Sequence, residues 1–165
     1  MKKLFYSIVL LFAASITLTS CDDRIVINSI QWASHNVKQP YTTISQMGFF
    51  TWEQAQTACP PGWRLPTREE LQTLQNTNSR WESLRHYRGR MFGSRSNQVF
   101  LPAAGRLEFI GYFLRHDVNI KGFYWSSTPG PYENTAWVLT FDTHSVEVLI
   151  TSRQLMGFQV RCVAR

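Results

Sequence analysis

The chain has 165 residues, 44% hydrophobic and 14% aromatic, which is enough apolar mass to bury one core and predicts one domain. Charged residues make up only 17% and no low-complexity run occurs, which excludes an intrinsically disordered chain. The formal charge of +6 falls to +4 once Lys2 and Lys3 are set aside with the leader, too mild a balance to point to nucleic acid.

The first twenty residues read as an export signal. Met1-Lys2-Lys3 is a positive start, and Leu4–Ala14 is an apolar run too short for a dedicated membrane span. Leu18-Thr19-Ser20-Cys21 then has the form of a bacterial lipobox, in which a small residue precedes a cysteine that is acylated and becomes the new N-terminus. The alternative is an ordinary secretory signal followed by an unrelated cysteine. On the lipobox reading, residues 1–20 are removed, residues 21–24 form a lipidated start and short tether, and residues 25–165 form the domain. Asp22-Asp23 resembles the acidic tag of surface-exposed lipoproteins in Bacteroidetes-type bacteria; in enterobacteria it would instead suggest retention at the inner membrane. The expected location is the outer membrane, lipid-anchored and facing outward.

In the mature chain, Ile25–Val37 reads as strand material and Lys38–Gln46 as a polar, turn-rich segment. Thr51 with Gln54 and Thr67 with Glu70 both fit the capping box, in which the hydroxyl takes a free backbone N–H and the side chain three residues on reaches back. Trp52, Ala55 and Cys59 share one face of the first predicted helix, Pro60-Pro61-Gly62 stops it, and Leu71 and Leu74 give the second its apolar side. Thr77–Gln98 is basic and rich in Gly, Ser and Asn, and reads as loop. Strands are expected over Arg106–Arg115, Gly122–Thr128, Ala136–Asp142, Ser145–Ile150 and Gly157–Val163, with Asp142–Ser145 as a hairpin turn. Strand, two helices, long loop and then several strands give α+β with an antiparallel sheet.

An exported chain meets oxidising conditions. With Cys21 acylated, Cys59 and Cys162 are the pair left, about a hundred residues apart. Joining them would restrict the unfolded chain by ~4–5 kcal/mol in the chain-entropy account. Two buried free thiols are the alternative.

Four ordered segments carry a family likeness: Cys59-Pro-Pro-Gly-Trp-Arg-Leu-Pro-Thr67, Leu101-Pro-Ala-Ala-Gly105, Tyr124-Trp-Ser-Ser-Thr128 and Gly157-Phe-Gln-Val-Arg-Cys-Val163. Together with Ile30–Val37 they resemble the Fibrobacter succinogenes major paralogous domain over residues 25–164. The resemblance implies a C-type-lectin-like fold, with paired N- and C-terminal strands and a disulfide from the end of the first helix to the last strand. Cys59 and Cys162 occupy those two positions.

The chemistry on offer points to recognition. The tripeptides that hold calcium and sugar in C-type lectins are missing, and the acidic residues are scattered, so no metal or other cofactor is expected. His35, His86, His116 and His144 have no metal-ligand spacing. Formylglycine-generating enzymes are similar in broad fold but act through reactive late cysteines, and here the late cysteine is Cys162; that activity is a distant alternative and no catalytic residue is assigned. In similar lectin-like domains the ligand face lies between the Trp-Ser-Ser strand and the final strand, here Pro129–Met156. It offers Tyr132, Glu133, Asn134, Trp137, Asp142, His144, Arg153 and Gln154 for a glycan or protein ligand. Trp137 reads equally as core, and Tyr132-Glu133-Asn134 also reads as a solvated turn. Trp52, Trp63 and Trp125 are expected in the core, and Arg64 and Arg161 are expected to be structural. Arg80–Arg95, with Trp81, His86 and Tyr87, reads as a solvated basic loop, with an anion grip as the alternative. The expected function is a lipid-anchored surface protein that binds a ligand without chemistry; the alternative is a subunit of an envelope or fimbrial assembly.

Overall fold

The computed structural model of the protein describes residues 24–38, 48–84, 86–109 and 112–165. The predicted export signal, Cys21 and most of the predicted turn-rich Lys38–Gln46 segment lie outside the described residues. Strand β1 (Arg24–Ile27) folds back on β2 (Ile30–Ala33) around Asn28 and Ser29, both in the left-handed region. Helix α1 (Trp52–Ala55) follows, then β3 (Trp63–Arg64) and helix α2 (Arg68–Gln75). Next come β4 (Ser79–Leu84), β5 (Tyr87–Ser94) and β6 (Asn97–Pro102), and the hairpin of β7 (Arg106–Phe109) and β8 (Phe113–His116). The last five strands are β9 (Gly122–Pro129), β10 (Thr135–Phe141), β11 (Val146–Ser152), β12 (Met156–Gly157) and β13 (Val163–Ala164).

These strands form four antiparallel sheets among the described residues, ordered β1-β2-β13-β3, β4-β5-β6, β12-β7-β8 and β11-β10-β9. Strands take 51% of the described residues and helices 9%. That overturns the α+β, C-type-lectin-like assignment: the molecule is mostly β, built of several small sheets with two short helices. The error has a physical source in Thr77–Gln98, read as loop. Its glycines are there because backbones pass closely, since a Cβ on Gly89 would sit 2.3 Å from the Leu101 carbonyl oxygen across the strand pair. Its charges stand on exposed sheet positions, where Arg80 pairs with Glu82 at 3.1 Å. The predicted strand over Arg106–Arg115 is likewise the β7–β8 hairpin.

The two caps form as their sequences dictate. Thr51 Oγ1 accepts from Gln54 N at 3.3 Å while Gln54 Oε1 accepts from Thr51 N at 3.0 Å. Thr67 and Glu70 repeat the exchange at 3.3 and 2.8 Å. Helix α1 ends at Ala55, so Cys59 lies in the turn that follows. Leu71 and Leu74 are fully buried, with Trp32, Phe92, Leu139 and Phe141. A second cluster gathers Phe50, Leu65, Trp125, Val138, Phe158 and Cys162. Strand β11 is at the edge of its sheet, and there the Gln75 side-chain oxygen accepts from Val148 N at 3.1 Å.

Three long-range ties hold the ends of the chain. Cys59 and Cys162 form a disulfide. Val163 stands between Trp32 on β2 and Arg64 on β3. The buried Arg161 donates to Asn36 Oδ1 at 2.8 Å, Ala33 O at 2.7 Å and Phe100 O at 2.9 Å. Burial pushes its pKa down to about 10, so it is still charged at neutral pH.

Arg64 grips Glu70 with two nitrogens, at 2.7 and 2.6 Å. Burial pushes the Glu70 carboxyl up, but hydrogen bonds from Arg64 and from the Thr67 backbone outweigh it and hold the group below its usual range. A lowered folded-state pKa adds stability above the ordinary carboxylate range, lost as pH falls through the folded value. Glu70→Gln keeps the cap but removes the ion pair. The expected loss is at most about 1 kcal/mol at neutral pH, shrinking towards zero on acidification below pH 4. Urea melts across a pH series would show this; a constant gap would mean that Glu70 acts through the cap alone.

Candidate functional site

The two caps fix where the site is. Each is followed at once by a residue that leans towards the β9–β11 sheet: Trp52 after Thr51, and Arg68 after Thr67. The Trp52 indole N–H donates to Ser126 O at 2.9 Å, and Ser126 Oγ donates to Trp137 O at 2.8 Å. The Arg68 backbone N–H donates to Thr128 Oγ1 at 2.9 Å. The starts of both helices therefore meet the end of β9 and the start of β10.

Two arginine–tryptophan stacks result. The Arg68 guanidinium lies 3.8 Å from the centre of the Trp137 ring, and that of Arg153 lies 4.4 Å from the centre of Trp52. Each pairs a helix start with the β10–β11 hairpin or the residue just after it. The β9–β10 register shifts between Ala136 and Val138, so Trp137 sits at a bulge. Bulges re-aim side chains, and here Leu139 and Phe141 are buried while Trp137 stays half-exposed beneath Arg68. Arg68 has no carboxylate partner among the described residues, and Arg153 has only Glu53 at 3.7 Å. Both are held flat, their rotamers fixed by the indole beneath, with charge in hand for an anionic group.

The structure divides the sequence-predicted residues into two places. Asn134, Trp137 and Arg153 come together, with Asn134 O accepting from Arg153 N at 2.8 Å. Tyr132, Glu133 and Gln154 are exposed beside them. Asp142 and His144 lie beyond the far end of β10, ~20 Å away at the rise of a strand. There the Asp142 carboxylate accepts from His144 N at 2.7 Å and Ser145 N at 2.9 Å; those bonds hold its pKa low and give it a turn-forming role. Trp52, Glu53 and Arg68 are site residues that the sequence reading missed. The available signal was the pair of capping boxes, which places Trp52 and Arg68 in equivalent first-turn positions. Trp125 is fully buried and Trp63 half-buried.

Exposed apolar side chains continue the face. Leu155 stands in the left-handed region with φ 57 and is 58% exposed, and its carbonyl accepts from Phe109 N at 2.9 Å. Tyr112, in the same β7–β8 hairpin as Phe109, is 60% exposed. The arginine-rich segment is not part of this face. Arg90 donates to Ser79 Oγ and Thr143 O, and Arg80 is paired with Glu82.

Among the described residues no group of His, Cys, Asp and Glu is placed to hold a metal ion, and no helix is long and apolar enough to cross a membrane. Neither a curated protein nor a solved structure matches the chain. The family model for the Lcl C-terminal domain matches residues 26–164, a stretch that contains all four sequence motifs and Ile30–Val37. That match carries neither the narrower Fibrobacter assignment nor a lectin-like fold. Spanning both caps, the disulfide and every strand from β2 to β13, it places the chain in the Lcl C-terminal domain family.

Proposed function

We propose that this is a lipid-anchored protein of the cell envelope whose domain binds an acidic external ligand, glycan or protein, without chemistry. The family is one of surface or secreted proteins. The lipobox at Cys21 and the acidic pair after it support an acyl anchor at the outer membrane, with the domain facing outward. The observation that carries the binding reading is the pair of stacked guanidinium groups. Arg68 and Arg153 are immobilised on indoles at one face; Arg68 has no carboxylate partner among the described residues, and Arg153 has only the long, exposed contact with Glu53 at 3.7 Å. A pre-ordered guanidinium presents parallel N–H donors to carboxylate, sulfate or phosphate at little further entropic cost. The same stacking covers a face of each indole, which leaves Tyr132 as the open ring for a sugar or a protein side chain.

Arrays of acidic and neutral glycans and pull-downs of surface proteins, both probed with soluble residues 22–165, test this reading. Arg68→Ala and Arg153→Ala are each expected to weaken binding about tenfold, since a charge-assisted hydrogen bond is worth ~1.5–3 kcal/mol. Unchanged affinity in the double variant would remove the site.

A second reading, a subunit of an envelope assembly, is favoured by one observation. Leu155, two residues after Arg153, and Tyr112, in the hairpin whose Phe109 donates to the Leu155 carbonyl, stand exposed, as an aliphatic and aromatic rim would in a packed subunit contact. Stable co-purification with neighbouring envelope proteins, lost on Leu155→Asp, would mark that role.

A further inference from the structure

The lipobox cysteine and the first strand are close in sequence. Cys21 lies three residues before Arg24, a span of at most ~11 Å when fully extended. Strand β1 is held at Arg24 by its register opposite Ala33, so the position of Arg24 in the fold is fixed. Around that point a tryptophan stands between two arginines. The Arg24 guanidinium lies 5.6 Å from the centre of the Trp63 ring and donates to Gln31 Oε1 at 3.0 Å. On the same β3 segment, Arg165 N donates to Gly62 O at 3.0 Å and its Nε to Trp63 O at 3.3 Å. Pro60, Pro61 and Gly62, leading into Trp63, are exposed, and β3 is the edge of its sheet.

Resting on the lipid-anchored reading above, we propose that the patch of Trp63, Arg24, Arg165 and the Pro60–Gly62 turn sits against the headgroup layer of the anchoring membrane. The domain then stands on the bilayer directly, without a spacer. The headgroup region is only ~5–8 Å deep on each side of the hydrocarbon. The short reach from acyl chains on Cys21 in the hydrocarbon therefore keeps Arg24 at its outer boundary. The chemistry around that point suits the place: an amphipathic indole belongs at headgroup level, and arginine stems lie along apolar surface with their charges among phosphates. Asp22 and Asp23 offset Arg24 and Arg165 in charge, so the tether and the ring hold the contact and no anionic lipid is needed.

The experiment uses the full-length protein purified from membranes and reconstituted into phosphatidylcholine vesicles carrying a nitroxide on the headgroup. Part of the tryptophan fluorescence is expected to be quenched, and that part is expected to be lost in both Trp63→Phe and Trp63→Tyr. Near-UV circular dichroism identifies a misfolded variant, and two ring-keeping substitutions guard against one failing. Mass spectrometry of the same preparation reads the state of Cys21. An unmodified Cys21 would sink the anchor and the patch together. An acylated Cys21 with quenching unchanged in both variants would sink the patch and leave the anchor standing.

Discussion

Replacing Cys59 and Cys162 together by alanine is expected to lower the unfolding free energy by ~2–5 kcal/mol. The bond closes a loop with a sequence separation of 103, and in the chain-entropy account the unfolded state then loses ~4–5 kcal/mol of freedom. Against a domain stability of ~5–15 kcal/mol, that decides whether the fold persists at growth temperature. Alanine is the right replacement because Cys162 is 2% exposed and a serine hydroxyl there would need a partner. The check is equilibrium urea unfolding with and without reductant. Reductant should destabilise the wild type to the level of the double variant and leave the variant unmoved. A wild-type midpoint indifferent to reductant would mean that the bond adds nothing to the fold.

Arg161→Met should cost about 3 kcal/mol or more, and Arg161→Lys should do no better. The guanidinium is 3% exposed and satisfies three oxygens from three segments: the Ala33 carbonyl on β2, the Asn36 side chain and the Phe100 carbonyl on β6. Removing it returns its own desolvation cost but leaves those acceptors without their donor, each worth ~1–3 kcal/mol when buried. Lysine keeps a compact charge on a single stem and can reach only part of the fork's targets, while still burying a cation. Urea melts of the two variants give the size. Amide exchange gives the place, with protection expected to fall first along β2 and β6. A lysine variant close to wild type would show that charge, and not the three-pronged geometry, is what the position needs.

Local chemistry was legible in the sequence, and long-range register was not. Thr51–Gln54 and Thr67–Glu70 could be read because a capping box is complete within four residues. The disulfide could be read because, with Cys21 assigned to the lipobox, two cysteines were left to pair. The β4–β5–β6 sheet could not, because Arg80, Ser83, Arg88 and Ser94 give it no apolar alternation and its glycines resemble turn signals until Leu101 is seen lying against Gly89. That omission, together with the shortness of α1, is what turned a mostly β molecule into an expected α+β one. The site was half-legible for the same reason. Asn134, Trp137 and Arg153 were named because they lie in the segment between two recognisable strands. Their partners Arg68 and Trp52 join them only through a bulge at Ala136–Val138 and through Ser126, neither of which leaves a pattern in sequence.

The contact between Gln75 and the outermost strand of the β9–β11 sheet has a consequence for how copies of this chain meet at high concentration. Strand β11 carries Val146, Val148, Ile150 and Thr151, the composition from which fibrils grow when one molecule's border templates the next. The glutamine amide occupies the docking position at its centre. In the anchored arrangement proposed above, neighbours side by side in one plane would thereby be kept from stitching into a cross-β polymer, by a border that carries no lysine.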